Sequence, residues 1–270
     1  VAKLIPEFSQ LYVTPFDDGQ IRRFMTLWYD YYESRQSERE FQLENFISRV
    51  KQSPSVTHLT RIPNLLAMMA LYFKVNQDFP DGRYTLYRNI AEAYLDKIQK
   101  SRKLPARSLD FTEQIRCFAA LAFEMQEQRA KNEVISHNLL TISREEAEQI
   151  FARTLGENPL NQESESERLE RVSAYFDETN RRSDILVPRA EGQYGFLHLS
   201  YQEFFAAEAL KEKYRKCTGL SAERDAKEDF FQTLRGLSAQ LSWHEAIVLF
   251  FESFLTHWEM APADMRYLFN

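Results

Sequence analysis

The sequence contains little glycine, little cysteine and no long apolar run. Only 7 of its 270 residues are glycine, where average usage would give about 19. None of these glycines precedes a lysine, so the sequence lacks a GxxxxGK[ST] phosphate-binding loop. This excludes, for the chain taken alone, the enzymes that hold a nucleotide through such a loop.

The two cysteines, Cys117 and Cys217, are too few for a disulfide framework or a zinc site. We therefore expect a reducing compartment and a cytoplasmic location. No run approaches the roughly 18 apolar residues of a membrane span, and the first residues lack the basic and apolar regions of a signal peptide. The chain opens on Val1 rather than on methionine, and we expect it to be a piece of a longer protein.

What is present is the composition of a globular protein. Hydrophobic residues make up 44% and charged residues 27% of the chain, which excludes the disordered and low-complexity classes. The length suffices for one large domain or for about two to three small ones. The formal net charge of −6 provides no general attraction for nucleic acid or for an anionic membrane, so neither is an expected partner.

Apolar residues recur at helical spacing through most of the chain. Asp17 with Gln20 predicts a capped helix start, and Pro63 stands where a helix would begin. S-x-x-E capping boxes at 143–146 and 200–203 predict two further helix starts. Ser200 and Glu203 are thus interpreted as helix-capping residues and not as a nucleophile and a base.

A β-hairpin is predicted at one place in the chain. The runs 185–187 and 194–197 favour strands, and residues 188–193 between them favour a turn. Three predicted helices precede this hairpin, which is the outline of a winged helix. The predicted fold class is mainly α, with a helical subdomain, then a winged-helix subdomain that holds one small β-hairpin, then further helices.

Four stretches carry a family resemblance. They are, in order, Y-V-T-P-F at 12–16, I-P-N-L-L-A-M-M at 62–69 with F-P-D-G-R at 79–83, F-L-H-L-S-Y-Q-E-F-F-A-A at 196–207, and W-H-E-A at 243–246. The third stretch is the most specific and matches the signature F-x-H-x-S-[FY]-Q-E-[FY]-x-A-A. Together they resemble the C-terminal half of a NACHT-type module, a nucleotide-binding module of the STAND class of P-loop ATPases, as in NLR-like proteins.

The resemblance implies four parts and a nucleotide site. The parts are the tail of the ATPase core at 1–15, a helical subdomain at 16–104, a winged-helix subdomain at 105–215 and the start of a second helical region at 216–270. In such modules the histidine that matches His198 contacts the β-phosphate of bound ADP, and the proline that matches Pro63 packs against the adenine and ribose. Ile62 and Leu66 are further candidates beside Pro63. A structural role stays open for both main residues, since His198 can be bonded to the capping turn and Pro63 can simply start a helix.

The function that the resemblance implies is the regulatory half of a nucleotide switch. It clamps ADP against the ATPase core of the same parent chain and controls ATP-dependent opening and self-association for signalling or defence. The phosphate loop, the Mg²⁺-binding acidic motif and the sensor arginine are expected before Val1. ADP or ATP with Mg²⁺ is therefore the cofactor of the parent, an expected ATPase, whereas this segment alone is expected to hydrolyse nothing and to bind no nucleotide tightly. No catalytic or metal-ligating residue is predicted in it.

Two other functions stay open at this point. The first is a helical scaffold or adaptor whose winged helix makes protein contacts without nucleotide. The second is a winged-helix transcription factor, but residues 163–182 carry four arginines against six acidic residues. DNA phosphates attract the opposite charge balance, so DNA binding is not expected.

Overall fold

A computed structural model describes residues 14–80, 82–102, 109–131, 141–158, 161–179, 185–219 and 225–255. Within these ranges the chain is mainly helical and carries a small three-stranded antiparallel sheet, which confirms the predicted fold class. The described residues group into two compact units, one that ends at Leu86 and one that begins at Tyr87. The finer subdomain boundaries expected at 104 and 215 stay predictions.

The first unit is built from helices. They are α1 (Asp18–Tyr32), α2 (Gln36–Gln52), the short α3 (Pro54–Thr57), a 3₁₀ turn (His58–Arg61), α4 (Pro63–Asn76) and the start of α5 (Arg83–Arg102). The predicted capping box of α1 is confirmed, because the Gln20 backbone N–H donates to Asp17 Oδ1 at 2.7 Å and the Asp17 N–H donates to Gln20 Oε1 at 2.9 Å. Pro63 begins α4, as predicted.

The second unit contains the rest of α5 and the remaining described elements. These are α6 (Phe111–Lys131), β1 (Ile142–Ser143), α7 (Arg144–Gly156), α8 (Glu165–Thr179), β2 (Leu186–Ala190), β3 (Gln193–Phe196), α9 (Leu199–Thr218), α10 (Ala226–Ser238), a 3₁₀ turn (Leu241–Trp243) and α11 (His244–Leu255). The order from α6 to β3 is that of a winged helix. The capping box at the start of α7 is confirmed by the bond from the Glu146 backbone N–H to Ser143 Oγ.

The sheet consists of the predicted hairpin and one additional strand. Strands β2 and β3 pair antiparallel, with Leu186 opposite Phe196, and Gly192 takes the positive φ of 66° that the tight turn between them requires. Strand β1 adds to the free edge of β3 and pairs Ile142 with Tyr194. Strand β1 is not predicted from the sequence, because two residues are too few to show an alternating pattern.

The core of the second unit is aromatic and lies where the hairpin meets the helices. The ring of Phe118 on α6 packs against Phe151 of α7, Phe196 of β3 and Phe205 of α9, with centroid separations of 5.3 to 6.2 Å. All four side chains are at most 4% exposed. A hairpin this small has little stability alone, so these rings fix its position relative to α9.

Several predicted features lie outside the described residues. They are residues 1–13 of the expected core tail, which include the start of the Y-V-T-P-F stretch, and the linker after Arg102. Arg181 and Arg182, two of the four arginines counted for DNA binding, and the chain after Leu255 also lie outside them.

Candidate functional site

His198, the candidate site residue, lies between the end of β3 and the start of α9. Phe196 closes the strand and is held in the aromatic core. The Leu197 backbone N–H then donates to the Ile185 carbonyl oxygen at 2.7 Å, which extends the hairpin contact by one residue. His198 follows in an extended conformation, and α9 begins directly after it.

His198 is itself the N-cap of α9. Its Nδ1 accepts the Ser200 backbone N–H at 3.2 Å, and the Ser200 hydroxyl oxygen lies 2.9 Å from the same nitrogen. The prediction that Ser200 caps this helix in an S-x-x-E box is therefore wrong. Ser200 lies within the first turn, because the hairpin contact at Leu197 lets the helix begin two residues earlier than the motif indicates.

These hydrogen bonds select one tautomer of the His198 ring. A neutral imidazole whose Nδ1 accepts a hydrogen bond carries its proton on Nε2. Both of the ring's hydrogen bonds to the described residues involve Nδ1. The Nε2–H group is thus the part of the ring that can donate to a ligand, while Nδ1 maintains the cap.

The electrostatic surroundings keep His198 neutral. The ring is half-buried, and burial lowers its pKa below the ordinary value of 6.5. The positive charge of Arg189 on β2 lowers this pKa further. The Arg189 guanidinium is held close by, because it donates to the carbonyl oxygens of Phe196 and Leu197. A neutral ring at physiological pH donates from Nε2 without first taking up a proton.

The sequence alone does not indicate a role for Arg189 beside His198. It lies at an irregularity in the β2 and β3 register, between Pro188 and Ala190. Arg189 and the residues around it match no known motif, and its distance from His198 along the chain is not a recognised spacing. The two side chains become neighbours only when the hairpin folds. Its charge and the N-terminus of the 20-residue helix α9 act in the same direction, and both favour an anion beside His198.

A buried pair of glutamines fixes α9 against its neighbours. Gln202 Nε2 donates to Gln126 Oε1 at 2.8 Å, and Gln126 Nε2 donates to the Ser242 carbonyl oxygen of the 3₁₀ turn before α11. Both glutamines are at most 1% exposed. Because a buried amide must find partners, this network holds α6, α9 and the 3₁₀ turn in one arrangement. The periodicity of the sequence marks position 202 as helical but does not indicate this role.

Pro63 lies in the first unit and His198 in the second. Pro63 is exposed at the first position of α4, and Ile62 before it is the N-cap and half-buried. Leu66 is completely buried in the core of its unit, so the structure places it in packing rather than at a surface. The contact of Pro63 with a nucleotide stays a prediction.

Other chemistries find little support in the described parts of the chain. Cys117 and Cys217 are buried, and burial raises the pKa of the Cys117 thiol, so it is held as the unreactive thiol. Across residues 14–255, apart from the gaps between the described ranges, no group of three or more His, Cys, Asp or Glu side chains could hold a metal ion. Among the helices described here, none combines the length and apolar character needed to cross a membrane.

Comparison with known proteins finds no matching family model and no matching curated protein. The resemblance to the NACHT-type module therefore depends on the motif residues themselves.

Proposed function

We propose that the chain is the regulatory half of a nucleotide switch, in which the start of α9 contacts the phosphates of ADP held by an ATPase core of the same parent chain. The observation that supports this proposal most is the arrangement of His198. Its Nδ1 is bound in the capping turn while Nε2–H can donate, and Arg189 and the helix N-terminus both favour an anion there. The resemblance of residues 196–207 to the NACHT signature implies the same role, because the matching histidine of such modules contacts the β-phosphate.

The switch operates through a difference in binding. His198 biases the protein toward the closed state only by the contact it makes with ADP in that state and loses in the open one. A hydrogen bond to a charged phosphate contributes about 1.5 to 3 kcal/mol, so its loss raises the open population by roughly 10 to 150-fold. In the closed state Pro63 at the start of α4 is proposed to pack against the base and ribose, and opening then permits self-association.

The test is made in the parent chain with two variants of one residue. His198→Ala removes both the cap and the imidazole, whereas His198→Asn keeps a good capping side chain and removes only the ring. We expect both variants to weaken ADP binding by about 10 to 150-fold and to raise resting activity. Ser143→Ala, which removes the cap of α7, is the matched control and leaves ADP binding unchanged. ADP affinity and resting activity equal to wild type in His198→Asn would contradict the proposal.

The ATPase core provides a second test. The coding sequence before Val1 must specify a GxxxxGK[ST] loop after a β-strand, and a parent without such a loop would exclude the switch.

A helical adaptor is the second candidate, and one observation favours it. Four large apolar side chains of the first unit are more than 60% exposed, namely Leu27, Tyr31, Phe41 and Val75. Such groups are typical of surfaces that meet other proteins. An adaptor requires these residues and not His198, so the His198→Asn variant separates the two functions.

DNA binding has less support from the structure. Helix α8 occupies the third-helix position of the winged helix and presents Glu165, Glu167 and Glu170 along its length. Its two arginines are engaged within the protein, Arg168 with the Ala152 and Glu163 carbonyl oxygens and Arg171 with the Glu113 carboxylate. These contacts withdraw both positive charges from the surface that would face phosphates.

A further inference from the structure

A cleft of about 360 Å³ lies in the second unit, away from His198. Residues of α6 and α9 make up most of its lining, and the end of α7 and Arg88 of α5 contribute the rest. Its volume lies in the range of about 300 to 1,000 Å³ that is usual for small-molecule sites. Neither His198 nor Pro63 lines it, so the cleft is separate from the proposed nucleotide contact.

Part of the lining is apolar, and we call the face of α6 formed by Ile115, Ala119 and Phe123 the floor of the cleft. Ile115, Ala119 and Phe123 lie four residues apart on one face of α6. Ala119 is buried, whereas Ile115 and Phe123 are half-buried and so remain partly open to solvent. An aromatic or aliphatic group placed on this floor would remove apolar surface from water.

The walls are cationic although the whole chain is acidic. Seven cationic and four acidic side chains line the cleft, in a chain whose net charge is −6. Two of the four carboxylates are already paired, Glu124 with Arg153 and Glu157 with Lys216. The other two acidic residues, Glu208 and Glu212, are on α9, and Glu212 forms no ion pair with the described residues. The seven cations still exceed the four carboxylates of the lining.

Two cations of the cleft have no carboxylate partner among the described residues. They are Arg116 on α6 and Lys213 on α9, neither of which forms an ion pair with any part of the chain that the structure describes. The Lys213 ammonium lies 4.4 Å from the centroid of the Phe123 ring, which directs this charge over the apolar floor. Positive charge and open apolar surface therefore coincide at one place.

We propose that this cleft binds a small amphipathic anion, a carboxylate, sulfonate or phosphate attached to an aromatic or aliphatic body. The acidic group pairs with Arg116 and Lys213, and the apolar body covers Ile115 and Phe123. A simple inorganic anion leaves the floor uncovered, and a neutral apolar molecule leaves both cations without an anionic partner. The site therefore prefers a ligand that carries both an anionic group and an apolar body.

The experiment titrates the full chain with naphthalenesulfonate by calorimetry, and with neutral naphthalenesulfonamide as the matched probe. We expect one site that prefers the sulfonate by about tenfold or more, since each charge-assisted contact contributes about a factor of ten. Arg116→Gln with Lys213→Gln removes that preference. Arg235→Gln with Lys51→Gln, two cations outside the cleft, is the matched control and keeps it. Equal sulfonate affinity in wild type and the cleft variant, or equal losses in the two double variants, would overturn the proposal.

A third variant and a second measurement locate the probe. His198→Asn leaves sulfonate binding unchanged if the cleft is the site, and a loss in this variant would place the probe at the start of α9 and overturn the proposal. Hydrogen exchange with and without the sulfonate supports the cleft if protection is confined to peptides of α6 and α9. Protection spread over the chain, or located only in the first unit, would contradict it.

Discussion

Helices α7 and α9 begin with the same sequence pattern but are capped differently. At α7 the S-x-x-E pattern forms the reciprocal box that it predicts, with Ser143 and Glu146 each satisfying a backbone N–H of the other. At α9 the same pattern at 200–203 lies inside the helix, and His198 is the cap. The local sequence is equivalent, so the difference must come from what precedes each helix.

What precedes α9 is a strand end anchored in the core. Strand β3 ends at Phe196, whose ring packs against Phe118 in the core. The hydrogen bond from the Leu197 N–H to the Ile185 carbonyl oxygen then keeps the backbone extended up to His198. His198, the first residue after that bond, is the N-cap, and the helix begins at Leu199. Strand β1 before α7 spans only Ile142 and Ser143 and ends at the capping serine itself. Tertiary packing thus decides between two possible caps, and at α9 it selects a histidine, which can also donate from Nε2.

Removing the aromatic anchor of the hairpin should have the greatest effect on stability. Phe196→Ala removes a side chain that is 4% exposed and in contact with two other buried rings. We expect it to lower the free energy of unfolding by about 3 to 5 kcal/mol, measured by urea denaturation. Phe41→Ala on α2, where the side chain is 64% exposed, is the matched control and stays within about 0.5 kcal/mol. A loss below about 1 kcal/mol for Phe196→Ala would show that the hairpin does not depend on this packing.

The caps themselves have smaller effects, which follow the geometry rather than the sequence pattern. Ser143→Ala and His198→Ala should each lower the free energy of unfolding by about 1 kcal/mol, because each removes the acceptor of a helix N-terminal amide. Ser200→Ala should stay within about 0.5 kcal/mol, and His198→Asn should keep most of the wild-type stability. If Ser200→Ala lowered the free energy of unfolding as much as Ser143→Ala, Ser200 rather than His198 would be the cap of α9.

The sequence predicts the elements of this fold better than it predicts the site. Periodicity located the helices and the hairpin, because burial of one face repeats along the chain. Short-range capping at Asp17 and Ser143 was also predicted, since both partners lie within one turn. Strand β1, the position of Arg189 and the Gln126–Gln202 bond depend on contacts between segments distant in sequence, the last across 76 residues. A single sequence does not indicate which residues that are distant along the chain come into contact in the fold. His198 was found through its motif. Its bond to the capping turn was one of two roles that the sequence left open, and the fold shows that bond.

The smallest expected effect is a pH dependence that is present at α9 and absent from the serine cap of α7. The pKa of His198 is lowered in the folded protein, by burial first and by Arg189 second, from an ordinary value of 6.5. The unfolded chain therefore binds a proton at this residue at a higher pH than the folded chain. The stability that the neutral His198 ring contributes is fully present above the ordinary pKa of 6.5. It is lost as the pH falls from there through the lower pKa of the folded state, and it levels off below that pKa.

Because other groups titrate in the same range, the quantity to measure is the difference in unfolding free energy between wild type and His198→Asn, compared at about pH 7.5 and about pH 5. We expect wild type to lose more stability than the variant on acidification. Arg189→Gln should reduce this extra loss only in part, because burial is the larger cause of the lowered pKa. An NMR titration of the His198 ring gives the pKa directly, and a value at or above the ordinary one would mean that the ring is not held neutral with its proton on Nε2.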